Sequence, residues 1–311
     1  MSELPITTQL NNPRTVLVSG ATGSVGSRLV GLLAERGADV RALLRRPVAA
    51  QVSAASPRIQ PVFGDFADPS SLADALIGVD AVFLACGNVP DQVAYESALI
   101  DAAARAGVSR LVKLSARGAA ADTSVAFWRW HAEIEDRLLG SGVPSVILRA
   151  GFSMANLFAA ADHVRGGLLV APAGGAEIAM IDPIDVASVA AEALLGEDRH
   201  LGRRYTITGP EAIDYERVAA ELGRVAGHEV RFVDVPTETA VGAMTGAGLP
   251  SFVAEQIAAV FTSLRGGAQA STTDTVAELI GRRPRAFGEF AAEVAPIFRA
   301  DQRDAELARH E

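Results

Sequence analysis

Short apolar runs alternate with longer amphipathic segments along the first half of the chain. The apolar runs lie at residues 15–19, 39–44, 59–63, 81–85, 111–115 and 145–148. Apolar residues at helical spacing occupy residues 24–36, 70–76, 92–106 and 127–139. Nearly continuous apolar runs are typical of strands that are covered on both faces. The alternation therefore predicts an α/β protein with a doubly wound parallel sheet.

The pattern changes after residue 150. Further strands are predicted at residues 168–171, 178–181, 204–208 and 229–233, and the helical material at 236–265 is longer and interrupted by glycines. This predicts a smaller α/β lobe over residues 151–298 that binds the substrate, with the chain crossing back to a core of residues 14–150. Residues 1–13 are predicted to be a flexible N-terminus and residues 299–311 a C-terminal tail.

A helix break is predicted at residues 243–250, where Gly246, Gly248 and Pro250 separate two apolar helical stretches. Glycines and a proline between apolar helices are typical of a helix-turn-helix that covers a pocket. The same segment could instead form a dimer contact. The sequence does not decide between a helical lid and a contact between two copies. It also leaves open whether the protein is a monomer or a homodimer.

Three glycines spaced three residues apart follow the first predicted strand and open the first helix. In a nucleotide-binding turn Gly20 makes the bend, Gly23 lets the backbone approach a pyrophosphate, and Gly26 permits close packing of helix on strand. The helix N-terminus then binds the phosphates. The residues predicted to contact a dinucleotide here are Gly20, Thr22, Gly23, Ser24, Val25 and Gly26. The alternative is a simple tight turn.

The second predicted strand ends in Arg45 and Arg46. A site specific for NAD(H) usually has an acidic residue at this position for the ribose hydroxyls, whereas cations accommodate the 2′-phosphate of NADP(H). The pair therefore predicts NADP(H) as the cofactor, unless the two arginines form only a solvated loop. After the third strand, Asp65 is a candidate for the adenine amino group and Phe66 for its ring, although Asp65 could equally cap a turn or helix.

Small residues, Ala85, Cys86 and Gly87, end the fourth strand and would let a cofactor lie close. Cys86 fits a packing role better than that of a nucleophile, because no arrangement that activates a thiol is visible. It is the only cysteine, which excludes a disulfide within the chain and a cysteine metal cluster. No metal site is predicted.

The charge balance and the hydropathy restrict the partners. Acidic residues outnumber basic ones by 37 to 28 over 311 residues, giving a net charge of −9. This argues against nucleic acid as a partner. The N-terminus lacks a basic and apolar leader, and no apolar stretch reaches the length of a membrane span. We therefore expect a cytoplasmic protein with a small-molecule substrate and no membrane partner.

An ordered set of motifs resembles the NmrA-like atypical short-chain dehydrogenases/reductases. The similarity extends from about residue 14 to about residue 296. Its motifs are Gly20-Ala21-Thr22-Gly23-Ser24-Val25-Gly26, Arg45-Arg46, Gly64-Asp65-Phe66, Leu148-Arg149-Ala150-Gly151-Phe152, Asp182-Pro183-Ile184-Asp185-Val186-Ala187 and Gly281-Arg282-Arg283-Pro284.

The resemblance implies an extended Rossmann fold that usually prefers NADP(H), with the C-terminal part closing over the nicotinamide. It also implies that Ala150, Gly151 and Phe152 contact the cofactor. The family contains quinone and azo reductases, isoflavone-type reductases, ketoreductases of secondary metabolism, and regulators that bind the dinucleotide without turning it over. The resemblance thus predicts the fold and cofactor and leaves the activity open.

The usual catalytic pair of short-chain dehydrogenases is absent. Those enzymes use a tyrosine with a lysine four residues later, whereas the only lysine of this chain is Lys113, within the fifth predicted strand. Counted back from the turn at residues 142–144, His131 matches the position at which related reductases carry a lysine or a histidine. Its imidazole could donate or relay a proton, contact cofactor or substrate, or have a structural role.

A second catalytic candidate is Ser115, at the end of the fifth predicted strand, where related enzymes place a hydroxyl that orients the substrate. It could instead only cap the turn at Arg117 and Gly118. Without a Tyr-Lys pair, reduction of an activated acceptor remains feasible, because a neighbouring hydroxyl of the substrate or water can stabilise the developing oxyanion.

Aromatic and thioether side chains are concentrated in the segments expected to flank the nicotinamide. The predicted substrate contacts are Trp128, Met154, Phe158, Met180, Met244 and Phe252. Such side chains suit a flat apolar ligand, although each could be ordinary core. The sequence thus predicts an NADPH-dependent ketoreductase or quinone reductase of a bulky, flat, polycyclic aromatic substrate. The alternative is a non-catalytic NADP(H)-sensing regulator.

Overall fold

The computed structural model describes residues 14–45 and 56–299. The predictions for Arg46, for the N-terminus and for the C-terminal tail beyond residue 299 lie outside these ranges. In the described ranges the first eight strands in chain order are β1 (Thr15–Val18), β2 (Asp39–Leu44), β3 (Ile59–Phe63), β4 (Ala81–Leu84), β5 (Arg110–Ala116), β6 (Ser145–Ala150), β7 (Leu168–Ala171) and β8 (Arg204–Ile207). The last strand is β9 (Arg231–Asp234).

Seven of these strands form one parallel sheet in the order β3-β2-β1-β4-β5-β6-β8. The chain moves outward from β1 to β3 and then returns to build the other half from β4. The order therefore reverses between β1 and β4, which is the position where doubly wound sheets bind their ligands, beyond the carboxyl ends of the strands. The predicted fold class is confirmed. The remaining strands, β7 and β9, pair in parallel as a separate two-stranded sheet.

The α-helices connect and flank these strands. They are α1 (Gly26–Glu35), α2 (Pro69–Ala75), α3 (Gln92–Ala106), α4 (Ala126–Gly140), α5 (Ala161–Arg165), α6 (Pro183–Leu195), α7 (Tyr215–Ala226), α8 (Thr237–Gly246), α9 (Ser251–Arg265), α10 (Thr275–Ile280), α11 (Phe287–Glu293) and α12 (Ala295–Phe298). Two short 3₁₀ helices cover Met154–Ala160 and Asp198–His200. No helix among the described residues has the length and apolar character needed to cross a membrane.

Local sequence explains where the early helices begin and which face they bury. Asp68 caps α2 by accepting hydrogen bonds from the backbone N–H groups of Ser70 and Ser71, and Pro69 occupies the first helical position. In α1 the buried side chains Leu29, Val30 and Leu33 recur at helical spacing. Both helices thus follow from sequence signals.

The backbone divides into two compact units that interleave along the chain. Of the described residues, the first unit contains those up to Lys113 together with Asp136–Val146 and Ala190–Arg203. The second contains Leu114–Glu135, Ile147–Val189 and the described residues from Arg204 onward. The predicted division into a core of residues 14–150 and a substrate-binding lobe of residues 151–298 stays a prediction.

The predicted strand at residues 178–181 is not a strand of either sheet. Ile178 and Ile181 instead form isolated bridges, with Ile213 and Ser153 respectively. Residues 178–181 are fully buried in the second unit. The strand prediction was wrong, because the apolar character of these residues reflects their burial. Periodicity alone does not distinguish a buried strand from another buried segment.

Candidate active site

The glycine turn of the first unit has the form that a dinucleotide phosphate requires. Gly20 has a φ of +63°, and a Cβ added at Gly26 would lie 2.1 Å from the carbonyl oxygen of Gly20. The chain therefore folds back tightly between β1 and α1, which only glycine permits at these two positions. Thr22, Gly23 and Ser24 are exposed at the tip. Because the first turn of a helix leaves N–H groups without intrahelical acceptors, the turn fits a pyrophosphate.

Ser19 joins the two strands at which the sheet order reverses. Its side chain is fully buried, and its Oγ accepts a hydrogen bond of 2.9 Å from the backbone N–H of Ala85. The hydroxyl lies 3.1 Å from the carbonyl oxygen of Phe83 and 3.0 Å from that of Ala85. It thereby holds the carboxyl ends of β1 and β4 together beneath the glycine turn. Sequence reasoning missed Ser19, although a polar residue ending an apolar strand was a visible signal.

The charged residues predicted to read the adenosine half follow β2 and β3. Arg45 is exposed directly after β2. One carboxylate oxygen of Asp65 accepts a hydrogen bond of 3.0 Å from the backbone N–H of Ala67, so Asp65 forms a local turn. A carboxylate accepts several hydrogen bonds, and the exposed Asp65 can therefore also receive one from a ligand. Both cofactor roles stay predictions.

Cys86 is half-buried after β4, between the half-buried Ala85 and the exposed Gly87. Burial, followed by the negative charge of Glu96, raises the pKa of the Cys86 thiol to about 11. The thiol is therefore protonated at neutral pH, whereas a nucleophile needs the thiolate. This favours the packing role that the sequence suggested for Cys86.

The single lysine is enclosed within the first unit. Lys113 Nζ lies 2.6 Å from Glu96 Oε2, and both side chains are fully buried. Gln92 Nε2 donates a hydrogen bond of 2.9 Å to Glu96 Oε1. Burial raises the pKa of Glu96, against the attraction of Lys113. Lys113 thus neutralises a buried carboxylate, and the sequence did not indicate this partner because α3 and β5 meet only in the fold.

Glu135 is the centre of a second buried cluster, in the second unit. Its side chain is 1 % exposed, and Ser115 Oγ donates a hydrogen bond of 2.6 Å to its Oε1. Arg149 binds both carboxylate oxygens, at 2.9 Å through Nε and 2.7 Å through Nη2. Arg204 Nε lies 3.0 Å from Oε2. Sequence analysis missed both arginines as partners of this helix.

Of the two catalytic candidates, Ser115 belongs to this cluster and His131 lies on the same helix as Glu135. The hydroxyl hydrogen of Ser115 is directed to Glu135, and the following turn is held by backbone bonds, with Arg117 N–H donating to Ala150 O at 2.8 Å. His131 is half-buried on α4, one helical turn before Glu135. Their roles toward a substrate stay predictions.

Two neighbouring tryptophans of α4 have different environments. Trp128 is 8 % exposed and packs so closely on Gly118 that a Cβ there would lie 2.2 Å from its ring. Trp130 is half-buried, and its ring centroid lies 5.4 Å from that of Phe127 and 5.7 Å from that of Phe252. Since Phe252 is 41 % exposed, Trp130 and Phe252 form an accessible aromatic pair in the second unit.

Three other predicted substrate contacts lie in or against the core of the second unit. Met154 and Met180 are each 1 % exposed and belong to this core, whereas the half-buried Phe158 packs against it, with its ring centroid 5.7 Å from that of Phe290. Met244 is half-buried on α8, a helix without a buried residue. The buried environment of Met154 and Met180 favours the core role that the sequence left open.

Hydrogen bonds to other segments hold residues 150–152, which the family resemblance implies to contact the cofactor. The backbone N–H of Gly151 donates a hydrogen bond of 2.9 Å to the carbonyl oxygen of Ile207. The N–H of Phe152 donates one of 2.7 Å to Gln269 Oε1. Gln269 itself is buried. The backbone from Ala150 to Phe152 is therefore fixed by a distant glutamine that sequence reasoning missed.

Comparison with known proteins identifies relatives over most of the chain. The model of the NmrA-like family matches residues 12–291. An NAD(P)H azoreductase of Xenophilus azovorans is 38% identical over 286 residues, covering 92% of this chain and 99% of that protein. A (4-alkanoyl-5-oxo-2,5-dihydrofuran-3-yl)methyl phosphate reductase of Streptomyces griseus is 40% identical over 285 residues, covering 91% and 99%. The NADPH complex of the Escherichia coli quinone oxidoreductase QOR2 superposes with a TM-score of 0.79 and 26% identity, covering 90% and 99%.

Proposed function

Because this chain belongs to the NmrA-like family, we propose that it is an NADPH-dependent reductase whose acceptor is a ketone or quinone on a bulky, flat aromatic molecule. The observation that carries the proposal is the glycine turn between β1 and α1, closed by the contact of Gly26 with Gly20. Relatives with 38% and 40% identity that are named as reductases support it.

We assign cofactor binding chiefly to the first unit. The turn at residues 20–26 holds the pyrophosphate, and the exposed Arg45 after β2 binds the 2′-phosphate of NADPH. When bound, NADPH supplies a hydride to the acceptor. Ser19 keeps the strand ends in place so that the cofactor meets a rigid surface.

The second unit provides the residues for the acceptor. The accessible pair of Trp130 and Phe252 offers flat apolar faces, which suits a conjugated ring system. Lys113 is sequestered by Glu96 and cannot serve as the lysine of a Tyr-Lys pair. Proton transfer therefore falls to His131 or to water, and an acceptor that stabilises its own oxyanion needs no stronger acid.

Turnover of NADPH against an acceptor panel tests this function. The panel contains quinones, azo compounds and polycyclic aromatic ketones, and NADPH consumption is followed by absorbance. We expect turnover with at least one class, and a KM for that acceptor raised about tenfold in Trp130→Ala, from the loss of an aromatic contact. Leu139→Ala removes an exposed apolar side chain from the same helix and should leave KM unchanged.

The missing Tyr-Lys pair favours one other function, a regulator that senses NADP(H) without turning it over. Tight NADPH binding with no turnover of any acceptor would establish the regulator and overturn the reductase. His131→Ala separates the chemistry further. A lower kcat with an unchanged KM supports proton transfer by His131, because that pattern marks an interaction made only in the transition state.

A further inference from the structure

A pair of parallel aromatic rings stands at the adenosine end of the first unit. The ring centroids of Phe66 and Tyr95 lie 6.0 Å apart, with an angle of 13° between the planes. Phe66 follows β3, whereas Tyr95 belongs to the first turn of α3, so the two rings come from separate segments. Both side chains are half-buried, so part of each ring remains accessible.

The surroundings of Tyr95 connect it to the predicted 2′-phosphate and adenine contacts. The negative charge of Asp91 raises the pKa of the Tyr95 phenol, Asp65 raises it further, and Arg45 acts in the opposite direction. The phenol is therefore neutral at physiological pH. Its Oη lies 3.4 Å from Asp91 Oδ2, a long contact to an exposed carboxylate.

The residue after Tyr95 fixes the position of this ring. Glu96 is fully buried and paired with Lys113, and Gln92 at the start of α3 is buried beside it. The buried side chains of Gln92 and Glu96 thus fix the first turn of α3, and this restricts the backbone position of Tyr95. A preorganised ring costs less conformational entropy on binding than a mobile one.

We propose that Tyr95 is a further cofactor-binding residue, which forms with Phe66 an aromatic platform for the adenine ring. The inference rests on the proposed function, since it assumes a dinucleotide in the first unit. Arg45 binds the 2′-phosphate, Asp65 receives the adenine amino group, and the two rings support the base by stacking. An aromatic side chain can stack on a nucleobase without a matching polar group, because every base has a π-face.

Binding of adenosine 2′,5′-bisphosphate tests the platform, because this probe carries the adenine and the 2′-phosphate but no nicotinamide. We expect Tyr95→Leu to raise its Kd about tenfold, as the loss of one stacked base face predicts. Tyr95→Phe keeps the ring and should stay within about twofold of the wild type, because the bond to Asp91 is long and exposed. Tyr205→Leu replaces a half-buried tyrosine of the second unit and should have no effect.

Phe66→Leu provides a second route if Tyr95→Leu fails to fold, and it should weaken the probe by a similar factor. Reduced nicotinamide mononucleotide, which lacks adenine, should be insensitive to both changes. Wild-type affinity for the bisphosphate in folded Tyr95→Leu would overturn the platform and leave the reductase intact. A wild-type protein that binds neither the bisphosphate nor NADPH would overturn both proposals.

Discussion

Glu96 and Glu135 are both buried glutamates on helices, but their partners differ in access to water. Glu96 pairs with Lys113, which is 0 % exposed, and with the buried Gln92. Glu135 pairs with Arg149, which is 23 % exposed, and Arg204, which is 43 % exposed. The first carboxylate is held by one enclosed ammonium and one buried amide, whereas the second shares its charge among guanidinium groups that also reach solvent. Equal burial of a carboxylate therefore does not imply equal dependence on a partner.

The largest expected effect comes from breaking the enclosed pair. Lys113→Met should lower the free energy of unfolding by about 3–5 kcal/mol, because it leaves the charge of Glu96 buried without a counter-ion. Adding Glu96→Leu to this variant should recover most of the loss, since both charges are then gone. Denaturation with urea measures both variants. A cost below about 1 kcal/mol for Lys113→Met alone would contradict the buried charge.

The loss in Lys113→Met should also depend on pH in a defined direction. Burial raises the pKa of Glu96 above its usual value of 4.5, so the folded protein holds this proton more tightly than the unfolded chain. This difference in the pKa of Glu96 stabilises the folded state. The stabilisation is fully present below the pKa of Glu96 in the unfolded chain, and it is lost as the pH rises through its pKa in the folded protein. The defect of Lys113→Met should therefore shrink on acidification, and a defect that grows would contradict this sign.

A smaller effect is expected at the solvent-connected cluster. Glu135→Gln removes the charge that binds Arg149 and Arg204 but leaves both arginines able to turn to water. We expect a loss of about 2 kcal/mol in the free energy of unfolding, from the charged hydrogen bonds. Arg149→Lys should cost less but lose the two-point contact. If Glu135→Gln lowers the free energy of unfolding as much as Lys113→Met does, the proposed difference between the two glutamates is wrong.

The smallest effect concerns the thiol beside the enclosed pair. The pKa of about 11 for Cys86 arises from burial and then from the charge of Glu96. Alkylation by iodoacetamide should therefore be slow at neutral pH and accelerate only toward pH 11. Glu96→Gln should move this profile to lower pH, while Glu135→Gln should leave it in place. An unshifted profile in Glu96→Gln would show that the glutamate charge does not reach the thiol.

Much of the fold followed from local patterns. The strands at residues 39–44 and 59–63, and the helix at 92–106, have the predicted bounds, because their apolar periodicity and flanking polar residues are local properties. The break between α8 and α9 also lies where the glycines and Pro250 predicted it. The prediction of a strand at 178–181 was wrong, because a buried irregular segment can have the same apolar sequence as a buried strand.

The sequence by itself determined the doubly wound sheet, the glycine turn and the absence of a Tyr-Lys pair, since each depends on neighbouring residues or on counting. Only the tertiary structure decided that Lys113 neutralises Glu96, that Ser115 and Arg149 bind Glu135, and that Trp130 is accessible where Trp128 is enclosed. These contacts join residues from separate elements. The energy of a buried charge or an aromatic face is set by what the fold brings to within a few ångströms, which no local pattern specifies.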